Sequence, residues 1–275
     1  MLAALIIVFR EAFEAGLIIG IVMAVTRGVN QRSSWIAGGV AGGVVGACIV
    51  AVFAGALSQA FAGFGQELFN AAILLVAVAM LTWHNVWMAR HGRELAAEMR
   101  AAGEAVISGS KSLAGLAVVV GIAVLREGFE LVLFLYGVIA AGGSSSLGIV
   151  TGSAIGLLLA AVVCFLTYFG LLNIPGRYLF SVTSIMIAFL SAGMAAQAIS
   201  FLEQANVVTA LDSIVWDTSW ILSETSIVGR ALHTLVGYSD QPTGMQLVVY
   251  LITLAITFVL MKLFAPQQPH PSPAH

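Results

Sequence analysis

Apolar residues along the chain fall in long runs, and the polar residues gather in the gaps between them. A run can cross the hydrocarbon core of a bilayer when it holds about 20 apolar residues. Seven runs reach that length, at 2–26, 34–60, 67–89, 113–140, 147–171, 178–202 and 244–264. The pattern predicts an all-α integral membrane protein with seven transmembrane helices. Glycines lie inside the runs, as in "GGVAGGVVGA" from Gly38 to Ala47. Small residues there let helices approach closely, so a packed bundle is expected.

Composition agrees with this reading. The 275 residues are 60% hydrophobic and 9% charged, against roughly 25% charged in soluble domains, and the mean hydropathy is +1.03. The net charge of −2 and the lack of a basic tract give no reason to expect a nucleic-acid partner. The first run carries neither the basic n-region nor the small-residue cleavage site of a signal peptide, so it is expected to be retained. Cys48 and Cys164 lie within the second and fifth runs, each without a second thiol nearby, and are expected to pack as small hydrophobes.

Lysine and arginine positions set the expected orientation. Arg27, Arg32, Arg90, Arg93, Arg100, Lys111, Arg177 and Lys262 fall on one side of the seven-span arrangement, and Arg230 on the other. The positive-inside bias then puts the N-terminus outside and the C-terminus in the cytoplasm, with the chain in the cytoplasmic (inner) membrane.

Two stretches interrupt the apolar pattern. "REAFE" at 10–14 recurs as "REGFE" at 126–130, 116 residues later, and the same offset pairs Cys48 with Cys164 and Phe53 with Phe169. Each unit would hold three spans, an odd number, so the second begins from the opposite side. Two inverted three-helix repeats with a seventh helix added are therefore expected, a design that places transport sites near the midplane between repeats. The expected segments are 1–90 (first repeat), 91–112 (cytoplasmic connecting helix), 113–202 (second repeat), 203–243 (outer loop), 244–264 (seventh helix) and 265–275 (disordered tail).

Residues three or four apart share a helix face. Glu11 and Glu14 therefore point together, as do Glu127 and Glu130, and Arg10 and Arg126 each stand four residues before a glutamate. A charge at the centre of a membrane helix costs about 2.5–3.5 kcal/mol on insertion scales, so six of them need one another, water or an ion. Four carboxylates against two guanidinium groups leave −2 if all are ionised, which suits a multivalent cation. The four glutamates are the candidate metal ligands, and Arg10 and Arg126 their ion-pair support. The competing view is that each Arg–Glu pair only locks helices together while the other glutamate stays protonated. A lock, however, has no use for a second acid one turn on, repeated at a symmetry-related position. Carboxylate oxygens suit magnesium, calcium, manganese or iron, and the residue types alone leave that choice open.

Further candidates surround this pair of motifs. Glu67, at the start of the third span, and Asp212, Asp217 and Asp240 in the outer loop are candidates for gathering cations at the mouth, although Glu67 also suits a helix N-terminus. Trp216 and Trp220 are expected at the membrane interface, and Ser226 to Val236 as a short amphipathic helix ended by Gly237. His84, near the inner end of the third span, fits a hydrogen-bonded structural role better than an exit-side iron contact. The chain lacks H-E-x-x-H, so a transporter is expected, not an enzyme, and without an ATP-binding motif its energy is expected from an ion gradient, a partner's redox step or the membrane potential.

The paired R-E-x-x-E motifs in spans one and four closely resemble the oxidase-dependent iron transporter family, which includes fungal high-affinity iron permeases and bacterial iron permeases of the EfeU type. The resemblance extends through "QELF" at 66–69, "LTW" at 81–83, "AGMAAQAI" at 192–199, "WDTSWILS" at 216–223 and "LVGYSDQPTGMQ" at 235–246. It implies iron, Fe2+ or Fe3+, as the transported substrate, no permanently bound cofactor, and Glu11, Glu14, Glu127 and Glu130 as the residues that carry the ion. It also implies a periplasmic or surface partner that oxidises or delivers iron, with 203–243 as its docking surface. The family's usual motif is R-E-G-L-E, and this chain has Ala12-Phe13 and Gly128-Phe129 in the middle; Asn70 stands where relatives are expected to have Glu. A carboxylate-based transporter of manganese, calcium or a proton-coupled cation is the alternative.

Overall fold

The computed structural model describes residues 1–60, 65–141, 145–170 and 176–264; the expected tail 265–275, with His270 and His275, lies outside them. Among the described residues there are eight helices: α1 (Leu2–Val25), α2 (Arg32–Ala60), α3 (Gln66–Ile107), α4 (Leu113–Ala140), α5 (Ser146–Tyr168), α6 (Gly176–Gln204), α7 (Ile227–Val236) and α8 (Gly244–Leu263). The sole pairing of β type among them is an isolated bridge between Ile214 and Thr243. Segments of α2, α3, α5, α6 and α8 are long and apolar enough to cross a membrane. α1 and α4 have the length as well, but each carries one arginine and two glutamates in its middle.

Glycines determine which helices touch most closely. A Cβ at Gly39 or Gly43 of α2 would run into the carbonyls of Ala117 and Gly121 on α4. A Cβ at Gly152 or Gly156 of α5 would run into the carbonyls of Met1 and Leu5. In both pairs the contact advances four residues on each helix together, so α2 runs parallel to α4 and α5 parallel to α1. Each half thus lends its second helix to the first helix of the other half. The carbonyls met, at 1 and 117 and at 5 and 121, keep the 116-residue offset of the charged motifs. The glycines, at 39 and 152 and at 43 and 156, are 113 apart. The second half is therefore three residues shorter between its first and second helices, and Cys48 and Cys164 are not counterparts. Cys48 is exposed at the bundle surface, while Cys164 lies against α1, its Sγ 3.8 Å from the Phe13 carbonyl oxygen.

Two apolar clusters fill the interior. One joins Ala3, Ile6 and Ile7 of α1 with Leu74, Ala77 and Leu81 of α3, Phe134 and Val138 of α4, and Ile187, Leu190, Met194 and Ala198 of α6. The other joins Ile18 and Val22 of α1 with Ile36 of α2, Met99, Ala102 and Val106 of α3, and Leu116, Val120 and Val124 of α4. The start of α1 meets the end of α4 and the reverse, so these two helices are antiparallel and cross in their middles. That crossing is where the charges lie.

The boundary expected at residue 90 is not a break. α3 continues through Ile107 as one helix, roughly 63 Å long at 1.5 Å per residue and so far longer than a bilayer core of about 30 Å. Residues 91–107 hold five Ala, three Glu and two Arg, which favour helix, and this extension buries Met99, Ala102 and Val106 in the second cluster. One face of the extension packs into the bundle, while Glu94, Glu98, Arg100 and Glu104 stay exposed on the other.

The segment after α6 folds against the end of the bundle where α1 begins. Ser226 caps α7, its hydroxyl accepting from the Gly229 N–H at 2.9 Å, and Gly237 ends it with φ of +67°, a conformation that favours glycine. Gly237 also packs against the backbone of Gly193 on α6, where a side chain would not fit. Glu203 at the end of α6 accepts from the Thr243 hydroxyl (2.7 Å) and the Gln246 amide (2.9 Å), tying α6 to the start of α8.

Candidate metal centre

Helical spacing places Arg10 and Glu14 on one face of α1, and Arg126 and Glu130 on one face of α4. Arg10 Nε donates to Glu14 Oε1 at 3.0 Å and Arg126 Nε to Glu130 Oε1 at 3.2 Å. The two pairs differ in setting. Arg10 is sealed inside the bundle, whereas the Arg126 side chain is 37% exposed and its guanidinium carbon lies 4.3 Å from the centre of the Trp87 ring. Each arginine holds one carboxylate and leaves the motif's other glutamate to the interior.

The antiparallel crossing of α1 and α4 brings the motifs together, and α3 completes the enclosure with His84. Single ligand atoms from Glu11, His84, Glu127 and Glu130 all lie within 4.8 Å of one another, and all four residues are buried. Glu14 adjoins this group, its Oε2 lying 3.5 Å from His84 Nε2, and Glu11 Oε2 lies 3.8 Å from the same nitrogen. The other ring nitrogen, Nδ1, contacts Glu130 Oε2.

Several of these atoms lack hydrogen-bond partners. Both oxygens of Glu11, Oε2 of Glu14, Oε2 of Glu127 and Nε2 of His84 are buried without one. Buried polar atoms are normally satisfied, and leaving one unpaired costs about 1–3 kcal/mol, more for a charged group. A set of unpaired oxygen and nitrogen atoms converging on one point between two apolar clusters has the chemistry of a cation site. Oxygen ligands suit hard cations, and imidazole suits transition metals.

The structure thus places Arg10, Glu11, Glu14, Arg126, Glu127 and Glu130 together, and His84 with them. Spacing along the chain put His84 toward the inner end of its span, as an exit contact at most. Its side chain lies at the α1–α4 crossing because α3 leans across both helices there, and that direction depends on tertiary packing. Asn85, next to it, donates to the Ser184 carbonyl oxygen on α6 at 3.0 Å, which fixes this turn of α3 in place.

The acids considered for the mouth are not part of this group. Glu67 is exposed in the first turn of α3, and Asp212 is exposed. Asp217 accepts from the Ser219 N–H and hydroxyl and from the Gln241 amide, and the bonds from Ser219 hold its carboxyl below the usual range. Asp240 accepts from the Glu224 N–H at 3.0 Å. These last two serve the fold of their own segment. Trp216 and Trp220 are both exposed.

The apolar helices and the buried group of ligand atoms define a multi-pass membrane protein. A profile of the iron permease FTR1 family matches residues 1–266, and the chain belongs to that family. It is 33% identical over 201 residues, 71% of each chain, to the "Ferrous iron permease EfeU" of Escherichia coli strain UTI89. Proteins of the same name from Shigella flexneri and Shigella sonnei are each 32% identical over 201 residues, covering 71% of this chain and 84% and 71% of theirs. No solved structure matches.

Proposed function

We propose that this chain imports iron across the cytoplasmic membrane through Glu11, Glu14, Glu127 and Glu130, with the ion held where α1 and α4 cross. The observation that carries this reading is the meeting of two R-E-x-x-E motifs, 116 residues apart, in one buried group of unpaired ligand atoms. Membership of an iron permease family supplies the substrate class. Ferrous iron is the form transported: the motifs' formal charge of −2 matches a divalent ion, and the relatives are named ferrous iron permeases.

The path follows from the layering. Seven helices, α1 to α6 and α8, span the membrane, as two inverted repeats and a seventh helix. The reciprocal packing of α2 on α4 and α5 on α1 supports that symmetry. With the N-terminus outside and the C-terminus inside, the cluster around Ile7, Leu81 and Phe134 closes the outer side of the site. The cluster around Val22, Met99 and Val120 closes the inner side. Transport opens one cluster at a time as the repeats rock against each other. Glu67 and Asp212 lend negative charge to the mouth, and 203–243 receives the iron-delivering partner. Inward movement of a divalent ion is favoured by about 4.6 kcal/mol per 100 mV of membrane potential, twice the single-charge value.

The test is uptake by the purified protein in liposomes, without oxygen, with ferrous iron, manganese, calcium and zinc offered separately and an inside-negative potential imposed. Iron accumulation that rises with the potential is expected. Accumulation of calcium or manganese with no movement of iron would replace this reading with that of another carboxylate-based cation transporter.

A further inference from the structure

We infer that His84 is a nitrogen ligand to the transported ion and that it sets the preference for iron over the hard cations manganese, calcium and magnesium. This rests on the iron-carrying reading and assigns the determinant of selectivity within that site. The R-E-x-x-E motifs contribute only carboxylate oxygens, which suit magnesium, calcium and manganese as well as iron. A filter built from them alone would admit the commoner ions. Imidazole suits iron and zinc, and within the central group His84 is the single nitrogen ligand.

The geometry fits a ligand better than a packing residue. His84 is 4% exposed, and its Nε2 has no hydrogen-bond partner while facing Glu14 Oε2 at 3.5 Å and Glu11 Oε2 at 3.8 Å. Nδ1 contacts Glu130 Oε2; with the ring proton on that nitrogen, the Nε2 lone pair is free to face an ion held among the other carboxylates. A carboxylate on the far nitrogen is the usual means of orienting a metal-binding histidine. The opposite oxygen of Glu130 is held by Arg126, so an arginine, a glutamate and a histidine act in series on one lone pair. Phe134 closes the ring from the side, edge to face at 6.2 Å between centroids, and the bond from Asn85 to α6 fixes the backbone behind it.

Two measurements test this. In liposomes, the wild-type protein, His84→Gln and His84→Ala are compared for ferrous iron uptake in the presence of manganese or calcium. Glutamine offers an oxygen in place of the nitrogen, so His84→Gln is expected to lower ferrous iron uptake more than manganese uptake, and competition by manganese to strengthen at least about tenfold, the scale on which changes around a metal shift affinity. A histidine with only a packing role would lower uptake of every ion alike and leave the competition ratio unchanged, and that result would overturn the inference. The second measurement is pulsed paramagnetic resonance of the detergent-solubilised wild-type protein loaded with Fe2+ without oxygen and converted to its 15N-labelled nitric oxide adduct, which makes the iron visible to the method and needs no variant to fold. A coupling from directly bound imidazole nitrogen is expected, and its absence would also overturn the inference. If the wild-type protein moved no iron, the proposed function would fall, and the nitrogen coupling would still decide the role of His84.

Discussion

Arg10 and Glu14 form an ion pair, Nε to Oε1 at 3.0 Å, in which both side chains are almost completely sealed, at 2% and 1% exposure. Its counterpart, Arg126 with Glu130, has nearly the same bond length, but the arginine is 37% exposed and also lies on the Trp87 ring. Two copies of one motif therefore carry unequal structural weight. Breaking a buried pair by removing one partner costs about 3–5 kcal/mol; Glu14 would lose its arginine in a sealed site, whereas Glu130 keeps the contact of His84 Nδ1 as a second partner. Arg10→Leu is expected to lower the thermal stability of the detergent-solubilised protein far more than Arg126→Leu. Equal losses would show that the burial difference has no energetic consequence.

The close helix pairs rest on glycine. Gly39→Ala and Gly152→Ala each drive a methyl group into a backbone carbonyl that cannot rotate away, and overpacking of this kind costs about 1–3 kcal/mol. Gly42, on the same helix as Gly39, has nothing within 4 Å of its added Cβ. Gly42→Ala is expected to be neutral or to stabilise by up to about 1 kcal/mol, the gain in helix propensity. Thermal melts of the three variants check the contrast.

The segment between α6 and α8 is expected to respond to pH through His233. Its Nδ1 lies 2.8 Å from both Glu224 Oε1 and the Tyr238 carbonyl oxygen. The hydrogen bond to Glu224 raises the histidine above its ordinary value of 6.5, with the charge of Asp240 adding to it. A raised folded-state pKa means that folding binds the proton more tightly. The stabilisation is present in full below pH 6.5 and is lost as pH rises through the folded-state value. Hydrogen exchange across α7 is expected to quicken over that window, and Glu224→Gln to remove most of the dependence.

Glu67 and Asp212 act, on this account, at a distance. Neutralising both as Glu67→Gln and Asp212→Asn is expected to slow iron uptake modestly at low ionic strength. The effect should fade at physiological salt, where the screening length is about 8 Å. An equal loss at all salt concentrations would instead make one of them a direct ligand.

Much of this architecture is legible in the sequence because a membrane imposes a coarse rule on apolar length. The R-E-x-x-E spacing gives the shared faces of Glu11 with Glu14 and of Glu127 with Glu130, and Ser226 and Gly237 mark the ends of α7 by ordinary capping chemistry. What escaped depends on contacts between helices. The direction of His84 is set by how α3 crosses α1 and α4, and no periodicity along α3 encodes that crossing. Continuation of α3 past residue 90 was hidden because a charged, helix-favouring stretch reads the same whether one face is buried or none is. The offset of the second helices was obscured by Cys48 and Cys164, whose match in type concealed a three-residue difference that only the glycine contacts reveal.

The central claim, that the buried glutamates carry iron, is tested most directly by radiolabelled ferrous iron uptake into liposomes holding Glu14→Gln or Glu130→Gln, each first shown to be folded and monodisperse in detergent. Glutamine keeps the shape and removes the charge, so uptake is expected to fall to the level of empty liposomes in both. Wild-type rates in both folded variants would contradict the account.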